Sequence, residues 1–120
     1  RVSAEEAPGL ARALRERGAH RIVLKLGDQG CCFDDDIQRI HAPAFAVAVR
    51  DATAAGDTFN AALAVALAEE RPVAEALRFA NAAAAISVTR LGAQASVPSR
   101  EEVDALLSAH AAHGPSKANE

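Results

Sequence analysis

The feature that most constrains the fold is a change of periodicity within residues 46–57. The stretch AVAVRD (46–51) alternates as a short β-strand does, whereas the apolar residues after Gly56 recur at helical spacing. Between these patterns lies a run of small residues flanked by Asp51 and Asp57. A strand that leads through a short loop into a helix is typical of α/β proteins. We therefore predict an α/β layer architecture, with this junction at the end of a sheet.

The remaining segments support the same fold class. A capping box at Ser3 and Glu6 begins a predicted helix that ends at Gly18, and Ser99 with Glu102 begins another that runs to about residue 113. Further strands are predicted over RIVLKL (21–26), CCFDDD (31–36) and QRIHA (38–42). Helices are predicted from Gly56 to the Glu-Arg-Pro break at 70–72, with Phe59, Leu63, Ala66 and Leu67 buried, and over about 73–90, with Leu77, Ala80, Ala84 and Val88 buried. A loop is expected over 91–98 and a disordered tail over 114–120.

Composition excludes several classes of function. Half of the 120 residues are hydrophobic, and with four Phe and no Trp, Tyr or Met the core must be aliphatic. The net charge of −3 is no footprint for nucleic acid, and no apolar stretch has membrane-spanning length. We therefore expect a cytoplasmic protein that binds neither nucleic acid nor a membrane. The adjacent Cys31 and Cys32 are interpreted as buried strand thiols in a reducing compartment.

Residues 51–57 also suggest chemistry. Backbone N–H groups of residues 54–57 lie where a helix leaves its first donors unpaired, which favours an anion such as phosphate. Small side chains allow close approach, and Gly56 permits backbone angles that other residues resist. Asp57 beside such a site could accept a proton from a hydroxyl, which suggests phosphoryl transfer to an alcohol. The alternative is that Asp51 ends a strand and Asp57 caps the helix, without chemistry.

Two long stretches resemble a known family. The sequences DATAAGDTFNAALAVALAEE (51–70) and LRFANAAAAISVTRLGAQASVPSREEV (77–103) strongly resemble the C-terminal part of the ribokinase/PfkB family of sugar kinases. IVLKLGDQGCCF (22–33) is similar to that family's strand–loop–strand segment that cradles ATP. The resemblance implies the C-terminal part of a ribokinase-like (Rossmann-like) three-layer α/β/α fold. Residues 1–113 would form its ATP-binding and catalytic part.

The resemblance also implies the roles of individual residues. Asp57 would be the catalytic base and would contact the sugar, and Ala54, Ala55 and Gly56 would form an anion hole. ATP would contact Lys25, Leu26, Gly27, Asp28, Gln29, Gly30, Gly56, Asp57 and Asn81. A monovalent cation, K⁺, would bind at Asp51, Thr53, Ser87, Arg90, Gly92 and Ser96, several through backbone carbonyls. The family's Mg²⁺–phosphate motif would lie upstream of Arg1.

The implied activity is transfer of the γ-phosphate of ATP to a sugar hydroxyl, with the 5-hydroxyl of D-ribose the first choice. The alternatives are a PfkB kinase for another sugar or nucleoside, and a truncated nucleotide-binding module without catalysis. The chain has no initiator Met and opens onto a helix start, so we interpret it as a piece of a longer protein that is inactive alone. In ribokinases the lid forms the dimer contact, so the full-length protein is expected to be a homodimer.

Overall fold

The structure is a computed structural model that describes residues 2–90 and 98–111. It divides into two units, Arg1–Phe45 (the first unit) and Ala46–Glu120 (the second unit). The expected tail over 114–120 and all but Pro98 of the expected loop over 91–98 lie outside the described residues. None of the described helices is long and apolar enough to cross a membrane.

The first unit places one helix on a small antiparallel sheet. Helix α1 (Ala7–Glu16) packs against strand β1 (Ile22–Lys25), which pairs with β2 (Cys31–Asp34), which in turn pairs with β3 (Arg39–Ala42). The predicted capping box is confirmed in the turn before α1: the Glu6 N–H donates to Ser3 Oγ at 3.2 Å, and the Ser3 N–H donates to Glu6 Oε1 at 3.0 Å. The three strands and this helix were predicted from the sequence.

The prediction of buried strand thiols is confirmed for Cys31 of β2 and only in part for Cys32. Cys31 is buried and Cys32 half-buried, and neither forms a disulfide. Burial raises the pKa of the Cys32 thiol, the nearby Asp34 carboxylate raises it further, and Arg39 opposes both effects. A thiol with a raised pKa remains protonated at neutral pH and is a poor nucleophile. The raised pKa therefore agrees with a structural rather than a reactive role for Cys32.

The predicted strand over residues 46–51 is wrong. This segment is irregular in the structure, and Val49 is 66% exposed. A strand exists only through hydrogen bonds to a neighbouring strand, and none of the described strands pairs with this segment. The backbone N–H groups of Arg50 and Asp51 instead donate to the carbonyl oxygen of Val88, at 2.6 and 3.1 Å.

The second unit is helical. Helices α2 (Ala55–Ala68) and α4 (Arg100–Ala111) both pack against α3 (Val73–Val88). Because seven of the sixteen residues of α3 are alanine, its neighbours approach closely, and residues on most of its sides are buried. Leu77 and Ala80 are buried as predicted, whereas Ala84 and Val88 are half-buried.

The prediction for α2 is confirmed only in part. Phe59 and Ala66 are buried, as the helical spacing predicts. Leu63 is half-buried, and Leu67 is 40% exposed, so the prediction that Leu67 is buried is wrong. A helix that is apolar on most of its faces cannot indicate from periodicity alone which face meets its neighbour.

Candidate active site

The turn that leads into α2 is ordered by Asp51. Its Oδ1 accepts hydrogen bonds from the backbone N–H of Thr53, at 2.9 Å, and from the Thr53 hydroxyl. This arrangement is an Asx turn, in which a carboxylate replaces a backbone acceptor. The Ala55 N–H then donates to the Ala52 carbonyl at 3.2 Å, and the helical ladder begins when the Thr58 N–H donates to the Ala54 carbonyl at 2.9 Å.

The first turn of α2 leaves several donors unpaired. Within residues 2–90 and 98–111, the backbone N–H groups of Ala54, Gly56 and Asp57 meet no acceptor. Ala54 is the N-cap residue, and it has no side-chain acceptor to offer them. Unpaired donors at the positive end of a helix attract anions. Of the three residues expected to form an anion hole, only Ala55 already uses its N–H.

Asp57 lies in this first turn and does not cap the helix. The N-cap is Ala54, and no side chain caps α2. Asp57 is exposed, and its carboxylate has no hydrogen-bonding or ionic partner in the described part of the chain. The alternative interpretation of Asp57 as a helix cap is therefore wrong. A carboxylate next to unpaired N–H groups is available to accept a proton.

The expectation for the backbone of Gly56 is also wrong. Gly56 is the second residue of α2, and it is not among the glycines with positive φ. Its backbone angles are thus accessible to any residue. What glycine provides here is the absence of a side chain, which leaves the backbone N–H open to close approach.

A groove of about 580 Å³ runs along α2 beside Asp57. One wall is a face of α2 from Asp57 to Val65, and Phe79 and Ala83 of α3 with Val103 of α4 contribute to the opposite side. Its volume falls in the range of small-molecule sites, about 300–1,000 Å³. The groove is mainly apolar, and Asp57 and Arg100 are its charged residues within the described chain.

The structure brings together four of the six residues expected to bind a cation. Asp51 and Thr53 form the turn before α2, and the Asp51 N–H joins that turn to the end of α3 at Val88. Ser87 lies in the last turn of α3, and the Arg90 N–H donates to its carbonyl at 3.2 Å. The remaining two residues, Gly92 and Ser96, lie outside the described residues.

These residues fit a monovalent cation by donor type. Asp51 supplies a carboxylate, and the end of α3 presents carbonyl oxygens at the negative end of the helix. Ser87 is 1% exposed, and its hydroxyl already donates to the Ala84 carbonyl at 2.9 Å, so a ligand atom from Ser87 would be its carbonyl oxygen. Among the described residues no group of three or more His, Cys, Asp or Glu could hold a metal ion. One carboxylate with neutral carbonyl oxygens is a donor set of low charge, which fits a monovalent cation.

The segment expected to contact ATP in the first unit is a short 3₁₀ turn over Gly27–Gln29. Lys25, Gly27, Asp28 and Gln29 are exposed, whereas the side chain of Leu26 is fully buried. The Gln29 side chain accepts from the Ala4 N–H at 2.7 Å.

Gly30 has a structural reason to be glycine. Its φ is +91°, and a Cβ would lie 2.0 Å from the Ala42 carbonyl oxygen. Asn81, expected to contact adenine, is a buried residue of α3 in the second unit. Whether these two residues also contact a nucleotide remains a prediction.

Sequence comparison identifies the family. The family model of the pfkB carbohydrate kinases matches residues 2–100. The chain belongs to this family. As a PfkB chain it is similar to the ribokinase of Bacillus subtilis, with 48% identity over 88 residues. That match covers 73% of this chain and 30% of the relative.

Solved structures of PfkB relatives have the same fold. The ribokinase of Thermotoga maritima superposes with a TM-score of 0.80 at 50% identity, covering 83% of this chain and 34% of that protein. The ribokinase of Arabidopsis thaliana, solved with ribose and ATP, gives a TM-score of 0.82 at 36% identity over 88% of this chain and 34% of that protein. The fold is thus ribokinase-like, as predicted, and the chain spans about a third of the length of these relatives.

One contact at the candidate site was not predicted from the sequence. The Arg90 guanidinium pairs with the carboxylate of Glu102. The S-x-x-E spacing at 99–102 predicts the cap of α4, which is confirmed: the Glu102 N–H donates to Ser99 Oγ at 3.2 Å and the Ser99 N–H to Glu102 Oε1 at 2.8 Å. No local pattern connects Glu102 with Arg90.

Proposed function

We propose that the chain is the nucleotide-binding and catalytic part of an ATP-dependent sugar kinase. The observation that carries the proposal is the exposed Asp57 carboxylate, without a partner in the described chain, in a helical turn whose N–H groups at Ala54, Gly56 and Asp57 are unpaired. Membership of the PfkB carbohydrate kinases supports the reaction class.

In this mechanism Asp57 accepts the proton of the sugar hydroxyl. The hydroxyl oxygen bonds to the γ-phosphorus of ATP as the bond to the β–γ bridging oxygen breaks, and ADP leaves. The unpaired N–H groups of Ala54 and Gly56 donate to the phosphoryl oxygens as negative charge develops on them. Such donors stabilise the transition state because they are oriented before the reaction begins.

ATP, Mg²⁺ and K⁺ are the proposed co-substrate and cofactors. Mg²⁺ would neutralise charge on the phosphates, and K⁺ would stabilise the turn that holds the anion-binding N–H groups. Within this chain, Asp51, Thr53, Ser87 and Arg90 would hold K⁺, together with Gly92 and Ser96. The segment from Lys25 to Gly30, with Gly56, Asp57 and Asn81, would contact ATP.

D-Ribose, phosphorylated at its 5-hydroxyl, is the proposed acceptor. Its support is the 48% identity to the B. subtilis ribokinase and the T. maritima ribokinase structure. A cytoplasmic homodimer of the full-length protein, without nucleic-acid or membrane partners, completes the proposal.

The test uses a chimera in which this chain follows the part of the T. maritima ribokinase that precedes the aligned region. We expect the chimera to phosphorylate ribose with ATP, and the Asp57→Asn variant to lose about 10²- to 10⁴-fold in kcat, the usual contribution of a general base. The Asn side chain has nearly the same size, and Asp57 has no described partner, so the melting temperature should fall only slightly, through the loss of a negative charge at the positive end of α2.

Asp104→Asn is the matched control, since Asp104 is an exposed carboxylate of α4. It should retain the activity of the unmodified chimera. Equal activity of Asp57→Asn and the unmodified chimera would contradict the assignment of the base. A chimera that binds ATP but phosphorylates no sugar or nucleoside would instead support a nucleotide-binding module.

A further inference from the structure

Glu102 connects the end of α3 with the beginning of α4. One carboxylate oxygen accepts the backbone N–H of Ser99 at 2.8 Å, and the other pairs with the guanidinium of Arg90. Both bonds lower the pKa of Glu102, the Arg90 pair most strongly. Glu102 is therefore ionised at neutral pH and holds two residues nine positions apart in the sequence.

Arg90 is directly joined to the turn where the cation is proposed to bind. Its backbone N–H donates to the Ser87 carbonyl at 3.2 Å. The next carbonyl, that of Val88, accepts the N–H of Asp51 at 3.1 Å. A side chain that fixes Arg90 therefore also restrains the carbonyl oxygens of the last turn of α3, and through them the Asp51 turn.

The charge of Arg90 gives Glu102 a second effect. A guanidinium is always protonated in proteins, and a positive charge next to a cation site lowers the affinity of the site. The Glu102 carboxylate neutralises Arg90 by direct pairing. Without this carboxylate, the guanidinium would carry an uncompensated charge on the residue whose backbone N–H binds the Ser87 carbonyl.

We propose that Glu102 is a positioning residue for the cation site: by pairing with Arg90, it restrains the last turn of α3 and raises the affinity for K⁺. This inference rests on the proposed function, because the K⁺ site is itself proposed there. Glu102 does not contact the cation in this arrangement, and its effect passes through Arg90.

A second ion pair of α4 provides a matched control. Arg100, also in the first turn of α4, donates to Glu69 at 2.6 Å. Glu69 lies at the end of α2 and has no described contact with Arg90. Glu69→Gln and Glu102→Gln each remove an ion pair from the first turn of α4. Only Glu102→Gln also removes the carboxylate that neutralises Arg90. Because Gln can still accept the Ser99 N–H, Glu102→Gln keeps the helix cap.

The experiment measures the melting temperature of the 120-residue chain as a function of KCl concentration, because an ion that binds the folded state raises it. Tetramethylammonium chloride keeps the ionic strength constant, since salt screens surface charges. We expect the half-saturating K⁺ concentration to rise about threefold in Glu102→Gln, as for the loss of an exposed ion pair. It should not change in Glu69→Gln. The double variant Arg90→Gln/Glu102→Gln should recover part of the loss, since it removes the uncompensated charge.

K⁺ activation of ribose phosphorylation by the chimera is the second measurement, and it should show the same order of variants. An unchanged K⁺ requirement in Glu102→Gln would overturn the inference, and so would an equal rise in Glu69→Gln. A chain without any K⁺ response would overturn it as well. In that case chimera activity that still requires Asp57 would leave the proposed kinase function intact.

Discussion

Arg39 and Asp34 lie directly opposite each other on β3 and β2, and the Nε–H of Arg39 donates to the Asp34 carboxylate at 2.8 Å. The other carboxylate oxygen accepts from Arg15 of α1 at 3.0 Å. The Asp34 side chain is only 5% exposed. One buried carboxylate thus joins the helix of the first unit to two of its strands.

We expect Asp34→Asn to destabilise the first unit by about 1–3 kcal/mol, because the amide group cannot accept from both arginines and leaves a buried polar group unsatisfied. Thermal unfolding followed by circular dichroism would measure the loss. Asp36→Asn is the control: Asp36 also pairs with Arg15, but its side chain is 72% exposed, so the melting temperature should hardly change. Equal effects of the two substitutions would contradict the importance of burial.

Gly30→Ala should lower the free energy of unfolding by about 2–4 kcal/mol. The new Cβ would meet the Ala42 carbonyl oxygen at 2.0 Å, and the φ of +91° disfavours any side chain. Gly9→Ala is the matched control, since Gly9 lies within α1 with no atom near the added methyl group. It should raise stability by about 0.5–1 kcal/mol. A tolerated alanine at Gly30 would show that the β3 backbone can move away.

Gly56→Ala should separate stability from activity. Gly56 has ordinary helical angles, so alanine should stabilise α2 by about 0.5 kcal/mol. The same methyl group would hinder approach of a phosphate to the N–H groups of the first turn, and we expect the kcat of the chimera to fall about tenfold or more. Melting temperature and ribose phosphorylation measured on one preparation test both effects. Full activity would contradict the proposed position of the phosphate.

The stability of the chain should decrease below about pH 4.5. Hydrogen bonds and charge from Arg100, and to a lesser extent Arg71, lower the pKa of Glu69 from its ordinary value of 4.5. At a pH between the two pKa values, the unfolded chain binds more protons than the folded chain. The contribution of the Glu69 ion pairs to the free energy of unfolding is therefore complete above the ordinary pKa and is lost as the pH falls through the lowered pKa of the folded chain. Melting temperatures from about pH 7 to about pH 3.5 should decrease less steeply in Glu69→Gln than in the unmodified chain. Parallel curves would contradict the pairing.

Local patterns predicted most of the elements. The capping boxes at Ser3 and Ser99 were predicted and are present, because a box forms between residues three apart in the chain. The strands at 22–25, 31–34 and 39–42 follow from β-branched and aromatic runs between turn residues. The segment 46–51 has the same alternation but forms no strand, because pairing requires a neighbour that local sequence does not supply.

At the candidate site, too, local features were predicted and contacts between distant residues were not. The sequence located Asp51, the small residues and Asp57, and the resemblance assigned their roles. The ion pair between Arg90 and Glu102 was not predicted, since a salt bridge across twelve residues depends on how α4 packs against α3. The exposure of Leu67 was also missed, because an alanine- and leucine-rich helix looks apolar on every face.

The sequence by itself thus determined the family, all of the described helices and strands in their order although with one strand too many, and the carboxylate proposed as the catalytic base. These depend on short-range spacing: a cap, a turn or a motif is complete within a few residues. Only the tertiary structure decided that the Val88 carbonyl accepts the N–H of Asp51, that Asp34 is buried between two arginines, and that Glu102 neutralises Arg90. Each of these joins groups distant in the chain, and their meeting depends on packing and charge in three dimensions.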